Sequence, residues 1–287
     1  MLRKVLALCS IMLLVIPAVP FTQTLDGSPY TPGKDPDIDL YINNWVDSDP
    51  LITHGALLER NILTQGDPMN PPAKGAVLKY VKSFTHATLP PKTSTRSTRL
   101  ENEQEIFYIL SGKGTIKAGG KEADLYSGIA VLIPADRSFT VTNTGNEPLT
   151  MYLISEPTPE GFKPVKDMVV KDENTIPITS TSGHWAHIVK NLFNKDDGLA
   201  TLYSVLTVGH DPMTIGHPHS HDPGCEEVWT AIKGTSIAWL GKQIRMQPPG
   251  TAYNIPPDGK TPHANINTSN EFIKLFYFSV RKDLEKK

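Results

Sequence analysis

Apolar residues in this chain come in short runs broken by turn chemistry, and almost nowhere at helical spacing. Ala76–Val81, Glu105–Leu110, Gly114–Ala118, Ile129–Ile133, Thr140–Thr142 and Leu149–Ile154 each predict a strand. Ser111-Gly112, Gly119-Gly120 and Thr144-Gly145-Asn146 supply the turns between them. A second series follows at Ala186–Val189, Thr201–Val208, Val228–Ile232, Ser236–Leu240 and Phe272–Phe278. Residues 25–74, rich in Pro, Asp and Asn, predict a loop-like arm, and the proline-bearing stretch 161–175 a linker. The fold class is therefore all-β, in two units at 75–160 and 176–287.

The two units repeat one another. Glu105, Gly112, Gly128 and Pro134 recur as Glu227, Gly234, Gly250 and Pro256, each 122 residues further on. Asn143-Thr-Gly-Asn-Glu147 recurs as Asn267-Thr-Ser-Asn-Glu271 at a spacing of 124, so the second copy carries two extra residues between Pro256 and Asn267. Pattern alone allows a sandwich or a barrel.

Residues 1–24 stand apart. A basic start at Arg3-Lys4, an apolar run from Val5 to Ile16 and the small or helix-ending residues Pro17-Ala18-Val19-Pro20 follow the plan of a secretory signal peptide. The run is too short for the roughly 20 residues of a membrane span. The expectation is an exported protein, periplasmic or extracellular, with no membrane attachment after cleavage. Composition then adds exclusions. The whole chain of 287 residues has 28 Lys+Arg against 30 Asp+Glu. Removing Arg3 and Lys4 shifts the net charge from −2 to −4. No basic stripe suggests nucleic acid. Of the 2 cysteines, Cys9 falls in the leader, so Cys225 stands alone and reads as a small buried residue rather than a nucleophile. The 25 prolines fit turns and sheet edges, not a helical bundle.

Chemistry is concentrated in the second copy, which holds seven of the 9 histidines. His217, His219 and His221 alternate, so in a strand their rings would share a face. Glu227 opens the strand after the next turn, and His263 lies beyond Pro256-Pro-Asp-Gly259. Three neutral imidazoles and one carboxylate make a site for one divalent first-row ion: Mn, Fe, Ni, Co or Zn. His184, His187 and His86 read as packing or surface residues and His210 as a turn residue. Trp229, Trp239, Tyr253, Phe276, Tyr277 and Phe278 are candidates to line a cavity. Lys260 and the amides near Asp258-Gly259 are candidates to meet an anionic ligand.

In these motifs the chain resembles the cupins, and with two copies a bicupin: two tandem jelly-roll β-barrels. The first cupin motif runs Gly, His-x-His, three or four residues, Glu, six residues, Gly. Here His219-Ser-His221 precedes Glu227 and Gly234, with five residues between His221 and Glu227. The second motif is met by Gly250, Pro256, Gly259, His263 and Asn267, one residue longer at two places. The resemblance implies His219, His221, Glu227 and His263 as metal ligands. His217 stands as a substitute for one of the first two histidines. Glu226 stands as an alternative to Glu227, although alternation puts it on the other strand face.

The first copy keeps the frame without the ligands. Thr95–Leu100 occupies the histidine positions and Phe139 that of the second-motif histidine. That barrel is expected to be metal-free and structural, with Arg96, Arg99 and Glu105 as the residues that could hold an organic ligand. The functional expectation is a metal-dependent enzyme acting on a small oxygen-rich metabolite such as a sugar, uronate, organic acid or phenolic. Glu227 is the candidate base. The alternative is a non-catalytic binding protein for a sugar, organic acid or metal. A seed-globulin-like storage role is disfavoured by the intact ligand set. A homo-oligomer is compatible with the sequence.

Overall fold

A computed structural model describes residues 27–179 and 186–284. The expected signal peptide at residues 1–24, with Cys9, and His184 lie outside these residues. No helix among the described residues is long and apolar enough to cross a membrane.

Each repeat forms two antiparallel sheets closed around a core. In the first, the large sheet runs Val169–Asp172, Ile129–Ile133, Glu103–Ser111, Leu149–Pro157, Ser83–Leu89, Leu57–Gln65, Pro50–Thr53. The opposing sheet is Phe139–Asn143, Gly114–Ala118, Lys121–Leu125. In the second, the large sheet runs Ile42–Asn44, Thr251–Ile255, Cys225–Lys233, Ile273–Arg281, Ser204–His210, Ile188–Asn194. Its partner is Thr214–Ile215, His263–Asn267, Ser236–Leu240, Gln243–Gln247. The predicted duplication holds at the level of single pairs. Glu105 lies opposite Ile133 and Ser155, and Glu227 opposite Ile255 and Ser279.

Strands 103–111 and 225–233 are apolar on both faces because each face is covered. Phe107 and Ile109 enter the first barrel's core, whereas Ile106 and Tyr108 enter a larger cluster shared with the second barrel. There Phe84 stacks on Phe276 at 6.0 Å and meets Phe278 edge-on at 5.2 Å. Tyr152 donates its hydroxyl to the Ala231 carbonyl across the junction at 3.1 Å.

The arm and linker are not the loops that composition predicts. Residues 25–74 contribute Pro50–Thr53 and Leu57–Gln65 to the first barrel, while Ile42–Asn44 crosses to pair with Thr251–Ile255 of the second. Reciprocally, Val169–Asp172 of the linker pairs with Ile129–Ile133 of the first barrel. The barrels therefore exchange edge strands. Ile42–Asn44, Pro50–Thr53 and Val169–Asp172 are too short to show an alternating period, and Leu57–Gln65 breaks its alternation at a bulge between Asn61 and Leu63. The repeated Gly128 and Gly250, with φ of 93° and 82°, sit under this exchange. A Cβ at Gly250 would lie 2.4 Å from the Trp45 ring, and one at Gly128 3.0 Å from Asn174, each just past an exchanged strand.

Two buried carboxylates clamp the junction. Glu226 accepts from the backbone amides of Lys79 at 2.8 Å and Tyr80 at 3.2 Å. Glu156 accepts from the amides of Thr201 at 2.7 Å and Leu202 at 2.6 Å, and from Gln104 at 2.8 Å. Residues 79–80 and 201–202 are 122 apart, the spacing of the repeat, so each barrel inserts a carboxylate under the same turn of the other. A third tie joins Glu173 to Tyr108, Lys274 and Thr207 at 2.5, 2.6 and 2.8 Å. Burial pushes the Glu156 carboxyl up, opposed by these donors.

Glu156→Ala should leave the two backbone amides without their acceptor, take one of two acceptors from Gln104, and lower global stability by about 3 kcal/mol. Urea unfolding of the full chain measures this; a loss under about 0.5 kcal/mol would remove the clamp from the stability of the junction.

Candidate metal centre

Local structure brings two of the three alternating histidines, His219 and His221, to one point with His263, though not by the strand expected. Pro218 and Pro223 have no N–H to give a ladder, and His217–His221 is a loop anchored by a single bridge. At that bridge His219 N donates to the His263 carbonyl at 3.3 Å and His263 N donates to the His219 carbonyl at 2.9 Å. His263 opens the strand His263–Asn267, and Asn267 fixes its far end by donating to the carbonyls of His210, Asp211 and Glu271. Glu227 points into the barrel from Cys225–Lys233.

The ring nitrogens of His219, His221 and His263 all lie within 4.8 Å of one another. Glu227 Oε1 is 3.0 Å from His221 Nε2, and Oε2 is 3.1 Å from His263 Nε2. Adjacent ligands around an ion at about 2.1 Å are themselves separated by about 3 Å, so this donor set fits a divalent cation. His219 Nδ1 donates to the His217 carbonyl at 2.7 Å, which leaves Nε2 as the lone-pair nitrogen. Burial, reinforced by His263, pushes the His219 imidazole down to about 3, so it is neutral as a ligand must be. Burial opposes ionisation of Glu227, but His221 and His263 outweigh it and hold the carboxyl well below its usual range. Tyr277 donates to Oε1 at 2.7 Å and Trp229 Nε1 to Oε2 at 3.1 Å, fixing the carboxylate's plane.

A cavity of about 520 Å³ opens onto this group, lined there by His221, Glu227, Trp229, Tyr277 and Arg281, with Lys195 farther along the wall. Arg281 and Lys195 are the cations that sequence reasoning missed; neither belongs to a motif. Lys260 instead faces a separate cavity against the arm, and the amides of Lys260 and Thr261 are taken by Asp258 at 2.9 Å each.

His217 falls outside the converging donors, and its ring stacks on that of His219. Glu226 lies on the opposite face in the junction clamp, as alternation predicts. Cys225 is buried, with its thiol pushed up by burial, yet its sulfur lies within 4.8 Å of donors on His221 and Glu227. Of the candidate aromatics, Trp229 and Tyr277 line the cavity, whereas Phe276 and Phe278 belong to the junction, Tyr253 is fully buried and Trp239 donates to the Gly241 carbonyl. His210 is not a turn residue: it ends the strand Ser204–His210, fully buried, 4.7 Å from the cavity-lining His187 ring. His86 packs against Trp45 at 4.4 Å.

In the first barrel, Arg99 pairs with Asp136 on the surface and Arg96 packs on the Gly55 turn. The motif positions hold no imidazole, yet Glu105 has one beside it from elsewhere in the chain. His54, from the arm, brings Nε2 to 3.2 Å from Glu105 Oε1. It lies outside any motif spacing, so only the fold reveals it.

Comparisons with known proteins agree with this architecture. The Cupin domain family matches residues 85–155, within the first barrel. An oxalate-binding protein of Thermotoga maritima is 32% identical over 82 residues, which is 29% of this chain and 68% of that protein. An uncharacterised protein of Methanocaldococcus jannaschii is 29% identical over 82 residues, 28% of this chain and 66% of that protein. Among solved structures, a Pseudomonas aeruginosa protein named for induction by glyoxylate superposes with TM-score 0.67 at 13% identity, covering 88% of this chain and 93% of its own. An oxalate decarboxylase variant of Bacillus subtilis gives 0.63 at 11%, covering 86% and 78%. A 7S globulin of Momordica charantia gives 0.61 at 10%, covering 84% of each. At such identities the structures share the fold alone.

Tyr277→Phe removes the donor to Glu227 Oε1 while keeping the ring. It should weaken divalent-cation affinity about tenfold with the unfolding midpoint unchanged, as read by competition with a chromogenic chelator. Unaltered affinity would mean that the phenol does not orient the carboxylate.

Proposed function

The chain belongs to the cupin superfamily, and from that premise we propose that its second barrel is a metal-dependent enzyme site for a small carboxylate. His219, His221, Glu227 and His263 hold one divalent ion. The observation that carries this reading is the convergence of three imidazoles and one carboxylate at a cavity whose wall also presents Arg281. A bound ion of this class supplies Lewis acidity to a coordinated carboxylate or carbonyl oxygen.

The residues of the chain have separate tasks. Arg281 spends Nε and Nη2 on Asp283, at 3.0 and 2.8 Å, which holds its guanidinium plane and leaves Nη1 for a ligand carboxylate. Burial keeps the Tyr277 phenol protonated, so it donates to Glu227 and does not act as a base. Glu227 accepts on both oxygens and is held ionised, which suits a ligand better than a base. Trp229 and Tyr277 give the cavity its apolar walls and restrict water beside the reacting group.

A carboxylate ligand is favoured by two independent supports: the cationic wall, and the 32% identity to a protein named for binding oxalate. The latter also sustains a second reading, capture without turnover. Export belongs to the proposal as well; a mature chain whose measured mass still includes residues 1–24 would remove it.

Protein purified from its native host should carry close to one divalent metal per chain by elemental analysis, and the paired change His219→Ala, His263→Ala should abolish it. Near-zero metal in the unaltered protein would sink the site. Oxalate, glycolate and galacturonate offered to the metal-loaded protein then separate the readings. Product formation supports the enzyme, tight calorimetric binding without product supports the carrier, and neither binding nor turnover overturns the carboxylate class.

A further inference from the structure

The first barrel has a counterpart for three of the four ligand positions of the second barrel's centre. Thr98 forms a single bridge to Phe139 as His219 does to His263. Glu105 holds the register of Glu227, opposite Ile133 and Ser155. Thr98, Phe139 and Glu105 thus stand where His219, His263 and Glu227 stand. His54 sits among the three: Nδ1 is 3.0 Å from Thr98 Oγ1, Nε2 is 3.2 Å from Glu105 Oε1, and the ring lies 5.5 Å from that of Phe139.

From this placement we infer that the first barrel is a cation site occupied by its own chain, with the His54 imidazolium in the position that the metal takes in the second barrel. The hydrogen-bond bookkeeping puts a proton on each ring nitrogen. Thr98 Oγ1 donates its proton to the Arg96 carbonyl at 3.3 Å, so it accepts from Nδ1. Nε2 faces carboxyl oxygens, Glu105 at 3.2 Å and Glu59 at 3.8 Å; burial pushes the Glu105 carboxyl up and His54 opposes that, so the proton the two share rests on Nε2 in this assignment. Both oxygens of Glu59 receive hydroxyl donors, from Thr53 and from Thr85 at 2.9 Å.

The surroundings are built for that ion. Glu59 and Glu105 are 7% and 4% exposed. The bulge between Asn61 and Leu63 recurs between Asn191 and Phe193, which aligns Glu59 with Val189, a residue of the cavity wall. The turn that delivers the ring is held in a costly shape. His54 has φ of 47°, a left-handed conformation uncommon outside glycine, and its carbonyl accepts from Arg96 N at 2.7 Å. The Arg96 side chain covers the adjacent Gly55, where a Cβ would come within 2.6 Å of it. Phe139 and Phe107, in edge contact at 5.7 Å, fill the remaining space.

The charged groups facing His54 are Glu59, Glu105 and, at longer range, Glu103. Burial works against the imidazolium, but Glu105 and its neighbours overcome it, so the ring titrates above its ordinary value. A pKa raised on folding contributes stability that is fully present below the unfolded value and is lost as pH rises through the folded one.

Two measurements on the full chain test this. Nitrogen-15 spectra of histidine-labelled protein should show His54 predominantly protonated on both ring nitrogens at pH 6.5, its titration displaced upward from the ordinary imidazole value. A neutral His54 ring there would overturn the assignment. His54→Ala should lower the unfolding midpoint by roughly 10 °C, and 50 mM imidazole should restore about half of the loss while leaving wild type unmoved. A variant as stable as wild type would overturn the proposal, as would equal responses of the two proteins to imidazole. If the variant fails to fold, the spectra of the unaltered protein decide alone.

Discussion

A carboxylate withdrawn from water must be compensated where it lies, and the whole of this protein is arranged around five that are. Glu105, Glu156, Glu173, Glu226 and Glu227 are each at most 5% exposed. Glu156 and Glu226 are met by backbone amides of the opposite barrel, and Glu173 by Lys274 and Tyr108 across the junction. None of these three can be satisfied by its own barrel alone. The exchanged strands Ile42–Asn44 and Val169–Asp172 follow the same logic for main-chain groups, completing each sheet with a piece of the other repeat. Two independent barrels side by side would leave these charges and edges without partners, so the chain folds as one intertwined pair.

The remaining two carboxylates occupy equivalent places and are compensated differently. Glu227 faces His221 and His263 in a barrel that keeps an open cavity. Glu105 faces one imidazole supplied by a strained turn, in a barrel filled by Phe107 and Phe139. Histidine in one copy and threonine or phenylalanine in the other, at positions with the same strand pairing, decide which solution is reached. A duplicated frame thus yields one site able to hold a cation and one in which the chain supplies the charge. The asymmetry costs the fold little because the frame itself rests on the junction and the glycine turns, which both copies retain.

Sequence made part of this legible for physical reasons. Turn glycines and the carboxylate on a strand's inner face are fixed by local geometry, so Gly128, Gly250, Glu105 and Glu227 announce the repeat by spacing alone. His219, His221 and His263 belong to contiguous motifs and were likewise readable. Arg281, Lys195 and His54 were not, because each reaches its place through sheet pairing between segments far apart in the chain. The exchanged strands escaped for another reason: three or four residues carry too few alternations to register. Alternation did separate Glu226 from Glu227, the one decision at the site where period alone was enough. It did not foresee the loop at His217–His221, since two prolines override a pattern that would otherwise suit a strand.

That separation has a mechanical consequence. Glu226 and Glu227 are adjacent on one strand, and consecutive strand residues point to opposite faces. Glu226 is pinned by the amides of Lys79 and Tyr80 and by Asn254, all on the junction side. A strand pinned on that face cannot slip by one residue without burying Glu227 against the other barrel and turning Glu226 toward the histidines. The docking of the first barrel therefore fixes the register that presents Glu227, while Tyr277 and Trp229 fix its orientation. The first barrel is in this sense part of the centre: its contribution to the site is the position of a carboxylate that belongs to the other barrel.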